Sequence, residues 1–428
     1  MTAGRPPYLA DLDHDALAVL GREWLLHGHL QDRVGMALVM ETADREEMQQ
    51  VAIEEWMAAS PIYSRRMQRA MRFGGSVSNP GGVDTICKNL QLDIGAPHEF
   101  MDFRFRVKDD RHAEFWLAHC GALMDVEPMG VEFVHGMCHT IEDPTFDATA
   151  AATNPQAAIR PIHRPPRMPA DRMPHCQWRI DIDADAPAVE AHPLSARVAE
   201  SLAATVDVEP LGGSEADGLP DYSGAFNPDL RLEDLSTSAL RVVLQEFALQ
   251  SHLLLRGLLT SVEGRLGAER VGEIVPRLVA GWCSLTAQRL RDALGLESTA
   301  EGLAAMLSLH PMFAPRSYVG VTITTDDDGV RVAFADCPVL REGDAFTWAT
   351  ALGGSIDAAL DAIVSAFDPQ ARCEAVPTAD GEAHAYRASI DGARPEQREA
   401  QELAIAKISS GAAFRFRTPR ARLMTPNI

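Results

Sequence analysis

The strongest constraint on this chain is a repeat: one order of elements is written along it twice. In the first hundred residues, Leu17, Leu20 and Trp24 share a helical face behind the acidic stretch Asp11 to Asp15. A second helix is expected from Asp44, with Glu47 at capping-box spacing and a face of Met48, Val51, Ala52, Trp56 and Ala59. Ser60-Pro61 predicts a new helical segment over 62–73, and a Gly/Asn/Pro loop fills 74–82. From Phe103 the period becomes two, which predicts a hairpin through Phe105 and Val107, turning at Lys108 to Arg111 and returning through Phe115. A Pro-rich stretch, Arg160 to Pro174, precedes a last strand at Trp178 to Ile182.

The order then returns. Glu23-Trp24 and His29 match Glu246-Phe247 and His252 at one offset, and the hairpin ending at Cys120 matches one ending at Cys337. Trp178-Arg179-x-x-Ile182-Asp183 matches Tyr386-Arg387-x-x-Ile390-Asp391. The expected fold class is α+β: two tandem repeats, each a helical half followed by an antiparallel sheet, packed as a pseudo-dimer. The expected domains are 1–183, a linker over 184–232 containing a short helix near Ser195 to Ala204, and 233–428 as a degenerate, structural copy.

Charge and apolar patterning remove several function classes. Acidic residues outnumber basic ones 61 to 39, giving a net charge of -22, and no long Lys/Arg cluster appears. Nucleic-acid binding by counterion release needs a basic face, so no nucleic-acid partner is expected. No apolar run reaches the length of a membrane span, and the opening residues lack a signal-peptide pattern. Seven widely spaced cysteines predict reduced thiols and a cytoplasmic protein rather than a disulfide framework. The Gly74 to Gly82 loop has no phosphate-binding spacing, and there is no nucleophile elbow. Arg415, Arg417, Arg420 and Arg422 read equally as a contact in a homo-oligomer or as a disordered tail.

Metal-binding residue types concentrate between His112 and Cys176, which hold six of the 14 histidines and three of the 7 cysteines. Thiolate and imidazole suit zinc, although no CxxC or HExxH spacing is present. The competing reading is that Cys120 and Cys138 are small buried apolar residues. Arg160, Arg164 and Arg167 either grip a substrate carboxylate or phosphate or belong to a solvated loop.

The pattern Cys120, Met137-Cys138-His139 with acids just after, Asn154-Pro155, then His175-Cys176-Gln-Trp178-Arg179-Ile180 resembles the L-2-amino-thiazoline-4-carboxylic acid hydrolase-like proteins. It is also similar to the 4-vinyl reductase small-molecule-binding domains. The resemblance covers about residues 103 to 183 and implies a zinc held by Cys138, a loop residue and Cys176. Here the loop offers His163 where that pattern has Glu or Cys. The resulting expectation is a metal-assisted hydrolase of a small, cyclic C–N or related bond. Glu142 or Asp143 would take a proton from metal-bound water and return it to the leaving group. His139 would orient substrate or be a fourth ligand, and Cys120 would line the pocket or act as a nucleophile. Arg160 and Arg164 would bind a substrate carboxylate. The alternative is a non-catalytic small-molecule-binding protein with a structural zinc.

Overall fold

The computed structural model describes residues 4–75, 80–212 and 217–417. The first half contains the principal helices α1 (His14–Met40), α2 (Arg45–Ala70) and α3 (Val83–Gln91), then strands β1 (Met101–Val107) and β2 (His112–Cys120). Helix α4 (Glu142–Ala151) and strands β3 (Ala157–His163) and β4 (Cys176–Ile182) complete it. The second half repeats this order as α5 (Thr237–Leu266), α6 (Ala268–Leu294), α7 (Ala300–Ser308), β5 (Val321–Asp326), β6 (Gly329–Ala335), α8 (Ile356–Phe367), β7 (Ala371–Ala375) and β8 (Glu382–Ile390). Each half holds one antiparallel four-stranded sheet, in the order β1-β2-β4-β3 and β5-β6-β8-β7. The α+β two-repeat architecture is therefore as the sequence predicts.

Local chemistry explains most boundaries. Asp13 and Asp44 cap α1 and α2 by accepting from the backbone N–H of Ala16 and Glu47, at 2.8 Å each. Gly329, at φ +121°, makes the turn between β5 and β6. Two expectations need correction. Ser60-Pro61 starts no new helix, because α2 runs unbroken through Pro61. Proline cannot donate to the carbonyl of Met57, and the hydroxyl of Ser195 donates to that oxygen instead, at 2.8 Å. The stretch beginning at Arg160 is also partly a strand. Pro161 is tolerated because β3 is a sheet edge, where a missing N–H breaks no ladder bond. Of the 74–82 loop, residues 76–79 lie outside the described residues.

The halves pack through their long helices, α1 against α5 and α6, and α2 against α5. Two buried ion pairs cross this interface. Arg66 on α2 donates from Nε and Nη2 to Glu246 on α5, at 3.0 and 2.9 Å. Arg289 on α6 donates in the same bidentate way to Glu23 on α1, at 2.7 and 3.0 Å. Glu23 and Arg66 recur as Glu246 and Arg289 at one and the same spacing, so each pair is the two-fold image of the other. Such reciprocity is what an isologous dimer interface produces, here within one chain.

Residues 184–232 join the halves and also carry two short helices, Pro193–Ala199 and Leu202–Thr205, broken where Ser201 caps the second. Their counterparts at the end of the chain are Gln401–Ala406 and Ser410–Ala413. These straps reach across to the opposite half. The Glu342 carboxylate accepts from Leu202 and Ala203 N–H, at 3.0 Å each, and Asp125 accepts from Ser410 N–H and the Ser409 hydroxyl, at 2.6 Å each. The free donors of Arg66 and Arg289 close on strap carbonyls of Ala204 and Gly411, at 2.8 and 2.9 Å.

Candidate functional site

In the first half, helix α4 and a preceding π-helical turn, Gly136–Ile141, lie between the sheet and helices α1 and α2. A π-turn adds a residue to the helical repeat and re-aims side chains, and such turns concentrate at functional sites. Here Met137 and Cys138 are buried, whereas His139 turns outward to bond the Pro165 carbonyl at 2.7 Å. Cys120 ends β2, where its sulfur accepts from Leu123 N–H at 3.3 Å, and Cys176 begins β4 beside it. Cys120, Cys138 and Cys176 form a buried thiol group with Glu142 nearby. Burial first, and then one another and Glu142, push the thiols upward, Cys176 to about 12, so all three are neutral.

His163 does not join them. A bulge between Pro161 and His163 sets His163 opposite Gln177, whereas Cys176 and Trp178 face the core. Residues paired across a ladder share a face, so His163 lies on the side of the sheet turned away from Cys176. Without the bulge its parity would have matched Pro161 and pointed inward. Among the described residues no group of three or more His, Cys, Asp or Glu is arranged to hold a metal ion. As placed, Cys138, His163 and Cys176 do not fit a shared zinc.

The arginines are engaged within the chain. Arg160 donates to Asp147 at 2.7 Å, Arg164 to Asp143, and Arg167 bidentately to Glu127 at 2.7 Å. Asp143 is thus an ion-pair partner at the surface of α4, and Arg160 points to the outer face of the sheet opposite Arg179. Near the C-terminus, Arg415 pairs with Asp292 at 3.2 Å and the Arg417 N–H bonds Glu99, while Arg420 and Arg422 lie outside the described residues.

Of the expected catalytic residues, Glu142 lines a cavity. This inner chamber, about 120 Å³, sits between α1, α2, α4 and the start of β1, with His29, Arg33, Tyr63, Asp93, Glu142 and Thr145 on its walls. Burial, only partly opposed by Arg164, pushes the Glu142 carboxyl up to about 8, so it is protonated at neutral pH. Burial pulls His29 down to about 4, and its Nε2 has no hydrogen-bond partner although the side chain is 4% exposed. Asp93 is raised to about 6 by burial and accepts from the Tyr63 hydroxyl at 3.1 Å. Arg33 is held by Asp32, which also accepts from the Trp56 indole N–H at 3.1 Å. The chamber therefore pairs a neutral carboxylic acid with a neutral imidazole, a proton donor with a proton acceptor.

An outer chamber of about 210 Å³ shares the wall residues Arg33, Trp56, Met137 and Ile141 with the inner one. Sequence reasoning placed His29 on the first helix and matched it to His252, but it did not reach Arg33, Tyr63 or Asp93. Their available signal was spacing: His29 and Arg33 lie one turn apart on the α1 face that the repeat preserves as His252 and Arg256.

The second half shows what this site becomes when filled. Helices α4 and α8 start at equivalent positions, and each carries at its sixth position an Asp (147 or 361) that accepts from the backbone N–H of Ile159 or Cys373, at 2.9 and 2.7 Å. Glu142, Thr145 and Thr149 thereby correspond to Ile356, Ala359 and Ile363, all buried. Cys138 corresponds to Leu352 and Cys176 to His384. After α3 and α7, Gly95-Ala96 becomes Met312-Phe313, and Phe313 packs against Phe334 and Trp348. Comparison with protein-family models, with curated proteins and with solved structures finds no match to this chain.

Proposed function

We propose that the first half is a small-molecule hydrolase acting by acid–base chemistry in the inner chamber, and that the second half is its filled, structural copy. The observation that carries this reading is the pairing of an unpartnered, neutral His29 with a protonated Glu142 on one cavity wall. His29 Nε2 would take a proton from water as its oxygen attacks the substrate carbon. Glu142 would donate its proton to the departing nitrogen, so the C–N bond breaks and water's atoms are shared between the two products. The proton on His29 then returns to the Glu142 carboxylate. Arg33, fixed by Asp32, would donate a hydrogen bond to the substrate oxygen, and the Tyr63–Asp93 pair would orient it. This retains the hydrolase and C–N expectation while giving Glu142 the role of acid rather than base. It uses neither Asp143 nor Arg160, which are paired elsewhere.

Metal is no part of this scheme, since Cys138, His163 and Cys176 do not fit one ion. The second reading, a non-catalytic binding protein, is favoured by the apolar outer chamber. A screen of small cyclic amides and amidines separates the two. Catalysis predicts product from the wild type, with loss of at least about 100-fold in both Glu142→Gln and His29→Gln while each stays folded. Binding without product would leave the binding reading, whereas full activity in both folded variants would remove Glu142 and His29 from the mechanism.

A further inference from the structure

The outer chamber is walled mostly by the first half, on the Met48, Ala52 and Trp56 face of α2 and on Met36 and Met40 of α1. Its remaining wall comes from the other end of the chain. Ile405, Ile408 and Ser409 of the C-terminal strap line it, facing Met129 and Asp125 of the first half. The strap is pinned beside the chamber by Asp125, through Ser409 and Ser410, and at its other side by Arg277 to Glu402 at 3.3 Å. Between those pins Ile408 is 76% exposed and Met129 is 50% exposed, which marks the mouth. Methionine side chains are flexible and polarisable, so a wall rich in them adapts to apolar ligands of varied outline. The chamber adjoins the inner one, where the unpartnered His29 Nε2 awaits a polar group.

We infer that the outer chamber binds the apolar portion of a small organic molecule and that the second half's strap, residues 401–413, is its lid. The ligand class is an uncharged amphipathic compound: an apolar body among the methionines and one hydrogen-bonding group directed toward His29. A formal carboxylate is disfavoured, because Arg33 at the shared wall is already neutralised by Asp32. The second half then has a specific task in the site, since the chamber lacks a wall without it. This goes beyond the acid–base reading and does not need it, because it is read by binding alone.

The probe is N-phenyl-1-naphthylamine, an uncharged amphipathic dye that fluoresces in apolar surroundings. The wild-type full chain is expected to bind about one dye per chain. Ala52→Phe, which places a ring in the chamber, should weaken binding by at least about tenfold. The strap variant Glu402→Ala/Ser410→Pro removes the Arg277 pin and the N–H that Asp125 holds without touching the chamber wall, and should raise association and dissociation rates together, about tenfold, with little change in affinity. Dye should also slow backbone hydrogen exchange over 401–413 in the wild type, a readout independent of how the variants fold. Absence of saturable binding, or undiminished binding in folded Ala52→Phe, would overturn the site. Unchanged rates in the strap variant, or unchanged exchange over 401–413, would overturn the lid. A chain that turns over substrate but takes no dye would sink this inference alone. A chain that takes dye but has no turnover would sink only the hydrolase reading.

Discussion

The two halves of this protein share their frame and differ in their filling. Strand order, the reciprocal Arg66–Glu246 and Arg289–Glu23 pairs and the exchanged straps are the same in both. Where the first half has Ala96, Glu142, Thr145 and Thr149 around a hollow, the second has Phe313, Ile356, Ala359 and Ile363 in a packed core. The lesson concerns what holds a fold and what makes a site. Interface pairs and ladders are kept in both copies. Polar cavity residues cost stability unless something needs them, and in the second half apolar residues take their place.

That comparison is broken first at the frame. Removing one member of a buried pair strands the other's charge, so Arg289→Met and Arg66→Met should each lose about 3–5 kcal/mol in chemical denaturation. Replacing both members by apolar residues, as in Glu23→Leu/Arg289→Met, should recover most of that loss. If the Arg66 variant were costly and the Arg289 variant silent, the two-fold frame would be wrong.

Next comes the filling. Phe313→Ala empties a packed position and should cost about 3–5 kcal/mol. Ala96→Phe copies the second half into the first, fills space already hollow, and should leave stability within about 1.5 kcal/mol while abolishing turnover in the inner chamber. Equal large losses at both positions would mean that the first half is as tightly packed as the second.

The pH dependence sharpens the contrast further. Glu142 and Asp93 have raised folded-state values, about 8 and about 6, so their contribution is full at low pH and is lost as pH rises toward those values. His29, His252 and His310, each lowered to about 4, contribute stability that is full above the ordinary histidine value and is lost as pH falls through 4. Thermal stability should therefore peak between about pH 5 and 7 and decline on both sides. Glu142→Gln should flatten the alkaline decline only. A wild type whose stability keeps rising from pH 6 to pH 9 would contradict the buried, protonated Glu142.

The smallest expected effect is at His163. On the outer face of an edge strand its replacement by Ala should change stability by less than about 0.5 kcal/mol and leave unchanged any metal the purified protein carries. Loss of metal on that substitution would return His163 to the cysteines and reverse the register described above.

The repeat, the α+β class and the hairpins were legible because they depend on periodicity and on turn residues that occur twice. The unbroken α2 was not. The partner that satisfies its Met57 carbonyl, Ser195, lies far along the chain, and only the folded structure brings its hydroxyl there. Glu142 was legible as a candidate from its place after Cys138, but its protonation was not, since burial sets it. His163 was misplaced by a single bulged residue, which no composition or spacing records. The strap's part in the outer chamber was hidden for the same reason as the ion pairs: contacts across the whole chain leave no local pattern.

The central claim is that one half is hollow and its copy is filled. Diffraction from crystals of the full chain pressurised with xenon tests it most directly, because xenon enters dry apolar cavities without needing a known ligand. The account predicts xenon in the outer chamber, among Met36, Met48 and Trp56, and none at its second-half counterpart, among the buried Leu259, Val271 and Val279. Xenon in the second-half core, or in neither half, would contradict it.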